Sequence, residues 1–198
     1  MASKPLRDSD VRQAAYRRLL THAQACPDTL AIDALGLDHG SCRIDIAVIN
    51  GHIRGVEIKA EADTLERLPR QVAAYGEVVD KALLIVAPKH LEPAMAMVPD
   101  WWGVMVAERG STQGVRFRRV RPERANKHID PLVLARLLWR PEAQAILRGL
   151  GVSERELRAP RATLYKLLVE KLSLRRLSQT VRETLKARTT WRDRPPLL

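Results

Sequence analysis

The 198-residue sequence predicts an α/β fold in which a mixed central sheet is flanked by helices and followed by an all-helical, basic extension. Three observations carry this reading. The apolar run Ala82-Leu83-Leu84-Ile85-Val86 is too continuous for a half-exposed strand, so it belongs in a sheet covered on both faces. Segments with a period of two alternate with segments of helical period as far as about residue 120. From Asp130 onward every periodic segment is helical, and leucines at helical spacing are interleaved with arginines.

The elements follow in order. Asp8 to Cys26 opens with Asp and Ser cap candidates and places Val11, Ala14, Ala15, Leu19 and Ala23 at helical spacing. After Pro27-Asp28, Thr29 to Leu37 and Cys42 to Ile49 read as strands, and the Asn50-Gly51 turn leads into a third, Ile53 to Ala60. A helix from Glu66 to Asp80 accepts Pro69 in its first turn and lines Leu68, Val72, Tyr75 and Val79 along one side. The buried strand Lys81 to Ala87, a short helix Leu91 to Met97, and strands Gly103 to Ala107 and Val115 to Val120 complete the sheet. The helices beyond are Asp130 to Trp139, Pro141 to Leu150, Ala162 to Leu172 and, after the N-cap Ser173, Leu174 to Arg188. This divides the chain into a core over 1–125, a helical extension over 126–190 and a loose tail over 191–198 that contains Pro195-Pro196.

Charge is distributed unevenly. Residues 1–100 hold 12 Lys+Arg against 14 Asp+Glu, a balance of −2, whereas residues 101–198 hold 22 against 9, a balance of +13. A surface so rich in arginine suits a polyphosphate, because each neutralised phosphate releases counterions, so the expected partner is nucleic acid, DNA in the first place and RNA in the second. The two cysteines and the lack of an apolar h-region at Met1 to Leu6 lead to an expectation of a reducing cytoplasm. No apolar run approaches the roughly 18–20 residues that cross a bilayer, so no membrane role is expected.

The segment that carries chemistry is Arg43-Ile44-Asp45-Ile46-Ala47-Val48, a turn, then Gly55-Val56-Glu57-Ile58-Lys59-Ala60. Strand alternation puts Arg43, Asp45 and Ala47 on one face, Cys42 with Ile44, Ile46 and Val48 on the other, and Glu57 with Lys59. A three-residue turn at Asn50, Gly51 and His52 pairs Ile49 with Ile53 and sets Asp45 against Glu57, with Cβ atoms about 4.5–5.5 Å apart. A two-residue Asn-Gly turn throws the two acids onto opposite faces instead. The odd register is favoured, because two facing carboxylates, the Ile58 carbonyl and water make a hard-oxygen site for Mg²⁺, or Mn²⁺ in its place. Lys59 would then activate water or stabilise charge on a phosphoryl group.

Asp45 followed by Glu57-Ile58-Lys59 resembles the signature of the PD-(D/E)XK nuclease superfamily, with Ile44 where that name has proline. Gln71 and Tyr75, four apart on the next helix, match the Q-x-x-x-Y motif of its RecB-like branch. The resemblance covers about residues 8 to 120 and implies a restriction-endonuclease-like fold and metal-dependent hydrolysis of DNA, in phage defence, repair or mobile-element processing. It implies Asp45, Glu57, Ile58 and an upstream acid, Asp33 ahead of Asp38, as metal ligands. Lys59 is implied as the catalytic lysine, and Gln71 and Tyr75 as groups that orient substrate or that lysine. Arg43, Arg116, Arg118, Arg175, Arg176 and Arg182 are the expected nucleic-acid contacts, and a homodimer would suit two cuts on a duplex. The alternative is a non-catalytic nuclease-fold module that binds DNA or serves a larger complex; a third reading makes residues 126–198 a helix-turn-helix-like binder or dimerisation element.

Plainer explanations stand beside these. Asp45 and Glu57 could pair with Arg43 and Lys59 as a solvated charge cluster, and Tyr75 could be ordinary core. Asp63 with Glu66 reads as a capping box. His22, Cys26, His39 and Cys42 have spacings that a zinc site could use, although Cys42 reads as a buried apolar position. Trp101, Trp102 and Trp139 read as core or interface anchors, and the arginines at 116, 118, 119, 121 and 124 also suit a charged edge strand.

Overall fold

The computed structural model describes residues 5–24, 28–37, 40, 42–110 and 114–189. Six strands form one sheet in sequence order: β1 (Leu30–Leu37), β2 (Cys42–Ile49), β3 (Ile53–Lys59), β4 (Lys81–Val86), β5 (Gly103–Arg109) and β6 (Val115–Arg121). β1, β2 and β3 form an antiparallel meander, β4 and β5 continue parallel to β3, and β6 returns antiparallel on the far edge. The two parallel steps each need a crossover, supplied by helices α2 (Leu68–Gly76) and α3 (Leu91–Met97). The sheet is therefore mixed and flanked by helices.

Both faces of β4 are covered. Leu83 and Ile85 join Ile46, Val48, Val56, Ile58 and Met105 beneath helix α1 (Asp8–Gln24), which contributes Val11 and Ala15. Ala82, Leu84 and Val86 face the other way, into a cluster that runs through α2 and α3 and onward without interruption into the helical half. That half comprises α4 (Pro131–Ala135), α5 (Arg140–Gly149), α6 (Glu154–Leu157), α7 (Arg161–Lys171) and α8 (Leu174–Ala187). Its Leu134, Leu138, Leu147, Leu164, Leu168, Leu177, Val181 and Leu185 are buried, each contributing about 1.5–3 kcal/mol. The sheet thus ends at Arg121, while the core continues into the helical half.

Several helix ends differ from the sequence expectation for identifiable reasons. α2 stops at Gly76 because Asn126 donates to the carbonyls of Gly76 and Val79, and the Asp80 carboxylate leaves the helix to accept from Ile53 N at 2.6 Å. α4 stops at Ala135, and the carbonyls of Leu137 and Leu138 accept from Arg188 and Tyr165 rather than continuing the helix. Ser173 caps α8 as expected, Asp130 caps α4 rather than opening the helix itself, and the short helix α6, capped by Ser153, is an addition.

The β1–β2 pair contains the main backbone irregularity. Its register is constant, with Asp33 opposite Ile46 and Leu35 opposite Ile44, but the ladder skips Ala34 and Asp45 between them. Ala34 has φ +58°, a left-handed conformation that costs a non-glycine residue about 1–2 kcal/mol. Alternation reverses phase there. Ile32, then Leu35 and Leu37, face α2; on β2, Ala47 and Ile49 and then Ile44 do so, while Ile46 and Val48 face α1. Strict alternation had placed Asp45 with Ala47 and Cys42 with Ile46 and Val48. The reversal instead puts Cys42 and Ile44 on the α2 side and frees Asp45 from the ladder.

Relief of the strain at Ala34 has a direct test: Ala34→Gly should match or exceed the parent by up to about 1 kcal/mol in urea unfolding, whereas Ala34→Val should lose about 1–2 kcal/mol. A valine variant as stable as the parent would refute the strain.

Candidate functional site

Ile49 pairs with Ile53 and Ile46 with Val56, so the turn has three residues, closed by Asn50 N donating to His52 O at 3.1 Å. The odd register holds. Asp45 lies just past the last paired position, and its Oδ2 accepts from Ile58 N at 2.8 Å, a carboxylate standing where a ladder carbonyl would. Alternation along β3 aims Glu57 and Lys59 at α2, and both are buried, at 1% and 3% exposure. Lys59 Nζ donates to Glu57 Oε1 and to Gln71 Oε1, each at 2.8 Å. Gln71 Nε2 donates to the same Glu57 oxygen, so one amide bridges both members of the ion pair. One turn further along α2, Tyr75 OH donates to Glu57 Oε2 at 2.6 Å.

The phenol reaches Glu57 because its ring lies against β3 at Gly55. A Cβ on Gly55 would meet two Tyr75 ring carbons at 3.0 and 3.1 Å, so a side chain there forces the ring away. Trp102 stacks on the ring with centroids 5.1 Å apart. Tyr75 is thus core and site at once.

A second cluster adjoins the first on the α1 side. Arg12 donates to Asp8 and Asp33 at 3.1 Å, to Asp45 Oδ1 at 3.0 Å and to the Asp45 carbonyl at 3.1 Å. Burial works against its charge, but Asp8 and Asp45 outweigh burial and push its pKa up. Burial raises the Glu57 pKa, with the Asp45 charge adding to it and Lys59 and Tyr75 opposing it. Burial, then the Glu57 charge, holds the Tyr75 phenol well above its ordinary value. Burial and Asp33 likewise raise the Tyr16 phenol.

The fold therefore brings Asp45, Glu57, Lys59, Gln71 and Tyr75 together. Asp33 is turned to Arg12 rather than toward Glu57, and among the described residues no three His, Cys, Asp or Glu form a metal-holding group. Arg12 is the residue that sequence reasoning missed; its only signal was Asp8 four positions earlier on the same helix. The expected nucleic-acid contacts do not form one rail. Arg43 is exposed near one edge of the sheet, Arg116 and Arg118 are exposed on the opposite edge strand, and Arg175, Arg176 and the half-buried Arg182 lie on α8. Arg121 is structural, bonded to the carbonyls of Val98, Pro99 and Trp102. Asp63 caps no helix; it accepts from Ala60 N at 2.7 Å and closes the turn after β3. Trp139 packs under the Arg188 guanidinium at 4.0 Å. Of the zinc reading, Cys42 packs against the core, while Cys26, His39 and the His22 side chain lie outside the described residues, as does Asp38.

Fold and site together define a mixed-sheet α/β protein with a buried carboxylate–ammonium pair braced by an amide and a phenol from one crossover helix. The chain belongs to the bacteriophage P4 protein cII family, whose model matches residues 3–194. It is similar to protein cII of Enterobacteria phage P4, with 26% identity over 184 residues, covering 92% of this chain and 68% of that one. A solved structure of a protein of unknown function from Silicibacter pomeroyi is similar at 18% identity and a TM-score of 0.44, covering 76% of this chain and 94% of that one. No helix among the described residues is long and apolar enough to cross a membrane.

Removing one member of the buried pair strands the other. Lys59→Met or Glu57→Leu alone should cost about 3–5 kcal/mol in chemical unfolding, whereas the double variant should fall within about 1–2 kcal/mol of the parent. The raised Glu57 pKa also has a signature. Folding favours the protonated acid, so this stabilisation is complete below the ordinary carboxylate pKa and disappears as pH climbs through the raised value. Glu57→Gln lacks this dependence, so the stability advantage of the parent over it should narrow as pH rises through that interval.

Proposed function

We propose that this protein is a divalent-cation-dependent nuclease of the PD-(D/E)XK type that acts on DNA. The observation supporting this most directly is that Glu57, Lys59, Gln71 and Tyr75, the motif side chains, form one hydrogen-bonded cluster at the carboxyl end of β3 with Asp45 beside it. The charge suits a cation. Asp8, Asp33, Asp45 and Glu57 carry four negative charges against Arg12 and Lys59, leaving −2 in the linked clusters. Asp45 and Glu57, with the Ile58 carbonyl, would hold Mg²⁺ or Mn²⁺ through hard oxygens, and Asp33 would not join them. The ion would supply Lewis acidity toward a phosphodiester and lower the pKa of water.

The chain's own residues set the rest. Gln71 fixes the Lys59 ammonium on β3, which would stabilise charge developing on a phosphoryl group, and Tyr75 holds Glu57 against rotation. Arg12 must yield Asp45 Oδ1 before that oxygen serves another cation. Arg43, Arg116, Arg118, Arg175, Arg176 and Arg182 would engage backbone phosphates, with RNA as the second substrate and a homodimer placing one site on each strand. Cytoplasmic action is part of this proposal.

The second reading, a non-catalytic nuclease-fold module that binds nucleic acid, is favoured by the burial of Glu57 and Lys59 and by the hold of Arg12 on Asp45. Incubating the full chain with DNA, or with RNA, and Mg²⁺ or Mn²⁺ separates the two. Catalysis predicts cleavage that is absent from Asp45→Asn and from the folded Glu57→Leu/Lys59→Met double variant, both of which still bind DNA. Binding without cleavage under either metal, steep in salt at about −0.9 in log K per phosphate contact, establishes the second reading.

A further inference from the structure

On the α1 side of the sheet, at the end of β3 and β4 remote from Glu57, lies a cleft of about 370 Å³, within the range of small-molecule sites. Its floor is the apolar sheet surface of Val48, Leu83, Ile85 and Met105. Phe117 stands at one side, with the Arg18 guanidinium 5.9 Å from its ring centroid. Four cations border the cleft: Arg18, Arg54, Lys81 and Arg119. Arg54 is matched by Glu123 at 2.7 Å, whereas no ion pair to Arg18, Lys81 or Arg119 is formed among the described residues.

Three cations around an apolar floor repel one another, and an anion bound between them relieves that repulsion. Thr29 adds a second indication, since its Oγ1 is buried at the cleft without a hydrogen-bond partner among the described residues. Asn50 and His52 line the same end, and burial together with the Lys81 charge keeps the imidazole neutral at neutral pH, with one donor and one acceptor. An inorganic anion would leave the apolar floor unused, and a purely apolar ligand would leave the cations unmatched.

We propose that this cleft binds a nucleoside phosphate, the phosphate held by Arg18, Lys81 and Arg119 and the planar base lying on the sheet floor beside Phe117. The site lies on the face of the sheet opposite Glu57 and shares no residue with the nuclease cluster, so it stands or falls separately from phosphodiester hydrolysis.

Calorimetric titration of the full chain with adenosine, guanosine, cytidine and uridine 5′-monophosphates tests it. At least one should bind saturably with a Kd below about 1 mM, and inorganic phosphate and the free nucleoside should each bind at least about tenfold more weakly. Lys81→Gln and Arg119→Gln, at partly or fully exposed positions, should each weaken binding about tenfold with an unchanged circular dichroism spectrum. The proposal is overturned if no nucleotide binds, if inorganic phosphate binds as tightly, or if binding survives both substitutions.

Discussion

Two opposite charges, the Lys59 ammonium and the Glu57 carboxylate, are shut inside this protein 2.8 Å apart, and the surrounding architecture follows from what that demands. Each ion gives up several kcal/mol of hydration, and their mutual attraction offsets this only when the remaining lone pairs and protons are met. Gln71 meets one of each, and Tyr75 takes the far carboxylate oxygen. For the phenol to reach, its ring must lie against bare backbone, hence Gly55, with Trp102 closing the other side. The seat of α2 on the sheet is therefore set by polar satisfaction as well as by apolar burial.

On the opposite side the same logic runs in reverse. Around Arg12 one guanidinium is shared among three carboxylates, so negative charge is in surplus. The backbone arranges this through the left-handed Ala34, which releases Asp45 from the ladder and lets one residue address both clusters, through Arg12 and through the Ile58 amide beside Glu57. A strained alanine opposite a carboxylate of the proposed site fits the tendency of backbone outliers to gather at working sites.

Much of this was legible in the sequence, for physical reasons that can be named. The apolar run of β4 admitted only a doubly covered strand, and the Asn50-Gly51-His52 turn held the register question within one residue. Gln71 and Tyr75 were legible through the resemblance to the Q-x-x-x-Y motif, whose helical spacing puts them on one face. The phase reversal at Ala34 was not, since alanine carries no signal for a left-handed conformation and strict alternation assumes an uninterrupted pleat. Arg12 was hidden for another reason: its partners Asp33 and Asp45 lie 21 and 33 positions away, and only tertiary packing brings them together. The ends of α2 and α4 were set by Asn126, Tyr165 and Arg188, donors far away in the chain that local propensity does not see.

The helical half was expected as an appendage, yet its leucines are continuous with the core that covers β4, and Lys186 on α8 reaches Asp28 beside β1 at 2.6 Å. The clasp itself contributes little at the surface, but the shared interior does not. Stripping away α4 to α8 would bare one side of the sheet to water, and the helices alone would face solvent with the leucines they now hide. Sheet and helices therefore share one interior, and the two should melt together rather than in turn.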